Sequence, residues 1–284
     1  MTERGAKAPT DTVDRVAEAV RNADRDRYIA DLFAPAAARK HLFALHAFNA
    51  EIGRIRELVT DPTLGEIRLQ WWRDVIVNDA AGGHPIARAV VETIDAFGLP
   101  KDAFYRLLDA RLFDLYDDPM PSLHTLEGYA GDTSSALIQL AAIVLAGGKD
   151  PGTAEGAGHA GVAYALVGLM RALPIHIGRG QTFLPVDMMM TRKVDREALA
   201  AGRMTSELRS LLTDLRTIAR QHLAEAEREI ADLAPPVKAA FLPLALVRPY
   251  LERMDRASYD PFSGGVEIAP WRRQWIIWRA ARKM

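Results

Sequence analysis

There is no cysteine among the 284 residues. That excludes disulfides, thiolate nucleophiles and Cys-based metal sites, and it suits a reducing compartment. Neither sign of charge dominates, with 36 Lys and Arg against 37 Asp and Glu and a net charge of -1. Without a global basic field, no nucleic-acid partner is expected. The opening stretch MTERGAKAPTDTVDRVAEAV lacks an apolar run of signal-peptide length, and no stretch reaches the roughly 18 uninterrupted apolar residues of a spanning helix. The expectation is a cytoplasmic chain, soluble or peripheral on the cytoplasmic face of the inner membrane. β-Branched alternation between turn signals is also missing, which argues against a sheet. So are low-complexity linkers and internal repeats.

What is present is one helical pattern after another, in a chain whose 49% hydrophobic content supports a sizeable core. The spacing predicts helices over Thr12–Phe33, Pro35–Val59, Leu64–Asn78, His84–Phe97, Lys101–Asp117, Leu123–Ala146, Ala154–Leu173, Thr205–Leu233, Pro236–Met254 and Pro270–Arg282. Pro35, Pro236 and Pro270 stand where a first turn tolerates a missing N–H, and Gly82-Gly83 and Gly147-Gly148 follow apolar runs as helix stops. The reading is an all-α, single-domain protein over residues 11–284, preceded by a flexible N-terminus at 1–10. Within GEIRLQWWRDVI, Ile67, Trp71 and Val75 share a helix face, read first as a core anchor and otherwise as the wall of an apolar cavity.

Five blocks carry more information together than singly: FALHAFNAEIGRIRELV, EIRLQWWRDVI, YAGDTSSALIQLA, LMRALPIHIGRGQTFLP and RRQWIIWRAARK. In this order they resemble the squalene/phytoene synthase family, and the likeness runs from about Arg27 to the C-terminus. It implies the isoprenoid synthase fold, with helices around a deep apolar cavity. Active members join two prenyl diphosphates head to head, using Mg²⁺ held by two acidic motifs with carboxylates at i and i+4. Magnesium needs hard oxygen ligands to bridge a diphosphate. Here the first motif falls on Gly53 and Glu57, with Arg54 in place of a neighbouring Asp. Ala50 takes the position of a phosphate-binding Arg and His46 that of a Tyr. The second motif falls on Gly168, Ala172 and His176, while Arg171, Gly180 and Leu184-Pro185 persist.

The resemblance therefore implies a degenerate site: no catalytic residue, no metal ligand set and no cofactor, with Mg²⁺ expected only if the chain is an active transferase. His46, Arg54, Tyr129, Asp132, Arg171 and Arg179 are the candidate pocket residues. Asp132 is read either as a partner of His176 or Arg171 across the site or as a local helix cap. His176, after a proline and with no second His at ligand spacing, reads as structural. Arg179 in RGQTF offers an anion site or a solvated turn. Ser134-Ser135 has no nucleophile elbow. Apolar positions such as Leu137, Leu140, Ile143 and Val144 leave room in the reading for a bound prenyl or quinone tail.

The pattern of losses is similar to one branch of that family, a mitochondrial complex I assembly factor with a phytoene-synthase-like domain and its bacterial relatives. This implies a non-catalytic partner of a complex I (NADH:quinone oxidoreductase) subunit or assembly intermediate; the alternative is an active head-to-head prenyl transferase. In PWRRQWIIWRAARKM, Trp271, Trp275 and Trp278 form one stripe flanked by Arg272, Arg273, Arg279, Arg282 and Lys283. The first expectation is that this stripe packs on the domain; the other is peripheral docking on a membrane or an acidic partner.

Overall fold

The computed structural model describes the backbone of residues 8–284 and the side chains from residue 12 onward, with helices and no strand among the described residues. The expected flexible stretch 1–10 lies outside the described residues as far as residue 7, and the first helix begins at Ala8. Where a single helix is predicted near the N-terminus there are two, α1 (Ala8–Ala23) and α2 (Arg25–Asp31). Asp24 divides them. Its carboxylate accepts from the Arg27 N–H at 3.0 Å and from the Arg27 guanidinium at 2.7 Å, so it starts a new helix as an N-cap.

Next come α3 (Ala36–Gly53) and α4 (Ile55–Leu58), separated at Arg54, then α5 (Pro62–Asn78), α6 (Pro85–Phe97) and α7 (Lys101–Leu112). Asp61 and His84 cap α5 and α6, each with a proline in the first turn. A 3₁₀ turn at Phe113–Leu115 leads to α8 (Leu123–Ala130), a π-turn at Gly131–Ser135 and α9 (Ala136–Leu145). The long α10 (Ala154–Gly178) follows, then α11 (Val186–Arg192), α12 (Arg196–Ala200) and α13 (Ser206–Glu229). The helix predicted over 236–254 is instead α14 (Pro235–Lys238), a 3₁₀ stretch at Ala239–Leu246 and α15 (Val247–Met254). Pro243, which has no N–H to donate, lies inside the 3₁₀ stretch. The last helix is α16 (Pro270–Ala281).

The centre of the molecule is α10, packed along α13 and against α8, α9, the π-turn and α15. It is long and apolar enough to cross a bilayer by composition, but half of its apolar window is buried against its neighbours as core. Its sequence accounts for the close packing. A Cβ on Gly161 would stand 2.3 Å from the Ser135 nitrogen and 2.4 Å from its Cα, so only glycine lets the π-turn approach. Ser135 Oγ completes the contact by donating to the Gly158 carbonyl at 2.8 Å. The helix also outruns its predicted end at Leu173: Pro174 forfeits one intrahelical bond near the last turn, and the helix continues to Gly178.

On α5 two apolar stripes interleave, and of the expected Ile67, Trp71 and Val75 only Val75 is buried. Ile67 is 61% and Trp71 40% exposed, so neither anchors the core; each instead borders a cleft open to the surface. Gly65, Leu69, Trp72, Val75 and Ile76 are the buried residues, and Trp72 meets Phe48 edge-on at 5.1 Å.

Because the Gly161 contact is backbone on backbone, Gly161→Ala is expected to lose about 1–3 kcal/mol of stability through overpacking. The measurement is urea unfolding at unchanged m-value; a midpoint equal to wild type would show that the π-turn can retreat.

Candidate functional site

The break at Arg54 turns Glu57 toward the C-terminal end of α10. There Arg179 Nη1 meets Glu57 Oε1 at 2.9 Å, joining the two family motifs directly. Both side chains are about half exposed, so the bridge itself stabilises little. Its position is nevertheless fixed. Gly180, at φ +77°, closes α10 with N–H groups of Gly180 and Gln181 on the Ile177 and His176 carbonyls, a Schellman end that sets where Arg179 points.

The first acid position of the family is occupied by something of the opposite charge. A Cβ on Gly53 would lie 3.6 Å from Nη2 and 3.7 Å from Cζ of Arg111, whose guanidinium lies against this bend of α3. Arg111 donates to Asp114 Oδ2 at 2.9 Å, to the Tyr129 hydroxyl at 2.9 Å and to Asn49 Oδ1 at 3.3 Å. Tyr129 in turn donates to Asp114 Oδ1 at 2.8 Å, and Gln181 Nε2 donates to the Asp114 carbonyl at 2.8 Å. One guanidinium thus ties together α3, α7, the 3₁₀ turn, α8 and, through Asp114, the exit of α10. Burial works against the Arg111 charge, but the Tyr129 and Asp114 partners outweigh it and hold its pKa above the usual value. Burial pushes the Tyr129 phenol up, keeping it a neutral donor.

His176 faces the same region, its ring 4.8 Å from that of Phe183, which also packs on Tyr129 and Phe113. Burial depresses the His176 pKa, and the nearby Arg179 adds to this, while Asp114 opposes it. The other positions disperse. Arg54 pairs with Glu51 at 3.4 Å on the surface. Asp132 neither reaches His176 or Arg171 nor caps a helix: it sits within the π-turn, 3.9 Å from Arg106, because the helix runs on from α8 without a free N-terminus. Ala50 is a half-buried position in the last turn of α3 whose carbonyl accepts from Arg54 N–H.

A second polar cluster lies behind α10. His46 Nδ1 is bonded to Asp31 Oδ2 at 2.7 Å, both buried, so His46 pins α2 to α3 rather than opening into a pocket. Arg27 stacks over the Tyr164 ring at 4.7 Å. Arg171 stacks over Tyr250 at 3.9 Å and pairs with Glu267 at 2.8 Å. Gly168 and Arg171 line a cavity of about 50 Å³ with Asp26, Tyr164 and Tyr250, and His176 borders another of about 10 Å³. Ligand pockets run to roughly 300–1,000 Å³. Beside these positions Tyr164, Tyr250, Leu169, Met170 and Phe183 crowd the spaces, which are much smaller than the cavity a prenyl or quinone tail would occupy.

This residue set does not fit magnesium. Of the expected acids only Glu57 remains, and Arg179 engages it; Gly53, Gly168, Ala172 and His176 supply no carboxylate, and a guanidinium stands beside Gly53. No group of three His, Asp or Glu side chains with metal-holding geometry occurs among the described residues. Arg111, Asp114, Asn49 and Gln181 escaped the sequence reading, since an Arg three residues before an Asp looks like any helical surface pair.

An all-α frame with two facing motif helices and a persistent RGQTFLP exit defines the class. The squalene/phytoene synthase family profile matches residues 20–279, and the chain belongs to that family. Among its relatives is the NADH dehydrogenase (ubiquinone) complex I assembly factor 6 of Bos taurus, 32% identical over 250 residues that cover 86% of this chain and 74% of the relative. A phytoene synthase of Thermus thermophilus is 25% identical over 259 residues, covering 89% and 86% of the two chains. In structure, a dehydrosqualene synthase superposes with a TM-score of 0.84 at 15% identity over 96% of each chain, which shows the fold.

Two measurements test the site. Removing the guanidinium by Arg111→Met leaves Asp114 and Tyr129 without their partner and is expected to cost roughly 3–5 kcal/mol. Gly53→Asp, in contrast, is expected to pair with Arg111 and keep the stability of the wild type, with no thermal shift on adding Mg²⁺; a magnesium-dependent shift would show that the position still serves a metal. The second test uses pH. Because the His176 pKa is depressed in the folded protein, its contribution to stability is full above pH 6.5, the unfolded value, and is lost as pH falls below it. His176→Gln is therefore expected to lose less stability than wild type between neutral and mildly acidic pH, read from unfolding midpoints; His41, also depressed by burial, accounts for part of what remains.

Proposed function

We propose that this family member assists the assembly of the NADH:quinone oxidoreductase, complex I, by binding one of its subunits or an assembly intermediate, and that it does not join prenyl diphosphates. The observation that carries the reading is the Arg111 guanidinium against Gly53, a fixed cation where the family chemistry needs anions. A diphosphate must ionise against bound Mg²⁺, and a site with one acid, already paired to Arg179, cannot assemble that cluster. The relatives named complex I assembly factor 6, at about 30% identity over most of the chain, support the same role. Under this reading the helical frame persists as a binding scaffold, since the packing that builds it does not depend on the lost acids.

The decisive experiment pairs a loss with a reaction. Deleting the gene in its own cell is expected to lower assembled complex I on native gels and NADH:quinone activity in membranes, with rescue by the wild-type chain and by Glu57→Gln. Purified protein given Mg²⁺ and farnesyl diphosphate is expected to release no diphosphate. Diphosphate release with a coupled C30 product would overturn the reading in favour of a head-to-head transferase, as would normal complex I in the deletion strain.

A further inference from the structure

The terminal helix contradicts the first expectation for it. Trp271, Trp275 and Trp278 are 70%, 49% and 45% exposed, so the aromatic stripe does not pack on the domain. What holds α16 in place is its other face. Ile277 is fully buried, Ala280 and Ala281 pack on the core, and Arg273 reaches Asp26 of α2 at 2.8 Å. At 100° per residue the outward face carries the three tryptophans with Arg282, and one flank carries Arg272, Arg279 and Lys283. Arg279 lies over the Trp275 ring at 5.4 Å and Arg282 over the Trp278 ring at 5.2 Å, so rings and guanidinium groups share one level. Residues 270–284 contain five basic side chains and no acidic one.

We propose that α16 is the surface by which this protein docks on an anionic lipid bilayer. The helix lies in the plane of the headgroups, with Trp271, Trp275 and Trp278 among the upper acyl and glycerol groups and Arg272, Arg279, Arg282 and Lys283 on lipid phosphates. Indole rings favour that boundary because one edge is apolar and the N–H needs a polar partner. Twelve residues of helix are too short to span a bilayer, which takes about 20. The charge argues for an anionic surface over a second copy of the chain, and the row of half-exposed indoles suits a lipid one. A second copy of the chain would bring basic flank against basic flank, whereas an anionic leaflet supplies phosphates along the whole helix. The contact is separate from the Arg111 region and does not rest on the assembly role.

The test uses the full chain and vesicles of phosphatidylcholine with or without phosphatidylglycerol. Sedimentation with the mixed vesicles and a blue shift of tryptophan emission are expected, with little binding to phosphatidylcholine alone and release at high salt. Trp271→Ser/Trp275→Ser/Trp278→Ser and, separately, Arg279→Gln/Arg282→Gln/Lys283→Gln are each expected to weaken partition at least about tenfold. Circular dichroism and the unfolding midpoint should stay near wild type, since these side chains are exposed. The proposal is overturned if the wild type ignores anionic vesicles, if binding is equal on neutral ones, or if neither variant changes it. It is also overturned if the tryptophans mediate only a dimer, seen as a concentration-dependent species in sedimentation that the Trp variant abolishes without lipid being involved, or only capture of a protein partner.

Discussion

A guanidinium that is mostly removed from water must find carboxylate and hydroxyl acceptors, and this protein is arranged to satisfy that demand at Arg111. Its partners come from α3, the 3₁₀ turn after α7 and α8, and Asp114 passes the tie on to Gln181 at the exit of α10. An isolated charge moved to a low-dielectric interior costs several kcal/mol, so these contacts work as a set. In a fold whose active members gather anions around a metal, a cation at the same bend of α3 changes what the interior can bind. The charge here is supplied covalently.

The two polar clusters have different work. The one around Arg111 joins the helices that carry the family motifs, whereas the one around Asp24, Arg27, Asp31 and His46 fastens the N-terminal helices to α3 and α10. Asp26 links that second cluster to α16 through Arg273, and burial raises its pKa against the pull of that arginine. The exposed tryptophan face and the buried ionic anchor are therefore two sides of one short helix.

Most helices were legible from apolar spacing and proline and glycine punctuation, because those signals are local. The failures lie where a choice is made by packing. On α5 the rows Ile67–Trp71–Val75 and Leu69–Trp72–Ile76 both satisfy helical spacing; contact with Phe48 favours the second, and of the first only Val75 reaches the core. On α16 the tryptophans look like core by size, yet the small residues Ala280 and Ala281 with Ile277 make the close face. The emptied acid positions at Gly53, Ala172 and His176 could be read by aligning family motifs, since absence of a carboxylate is visible in sequence. What replaced it was not, because Arg111 reaches Gly53 from a helix some sixty residues away.

The close seat of Gly161 on Ser135 and the Arg179 to Glu57 bridge lie toward opposite ends of α10. Between them the helix acts as a ruler. Inserting or deleting one residue there would move its exit by roughly 1.5 Å and rotate it by about 100°, so the glycine seat and the bridge could not both be kept. The spacing from Gly161 to Arg179 is therefore part of the architecture in the same sense as the residues themselves.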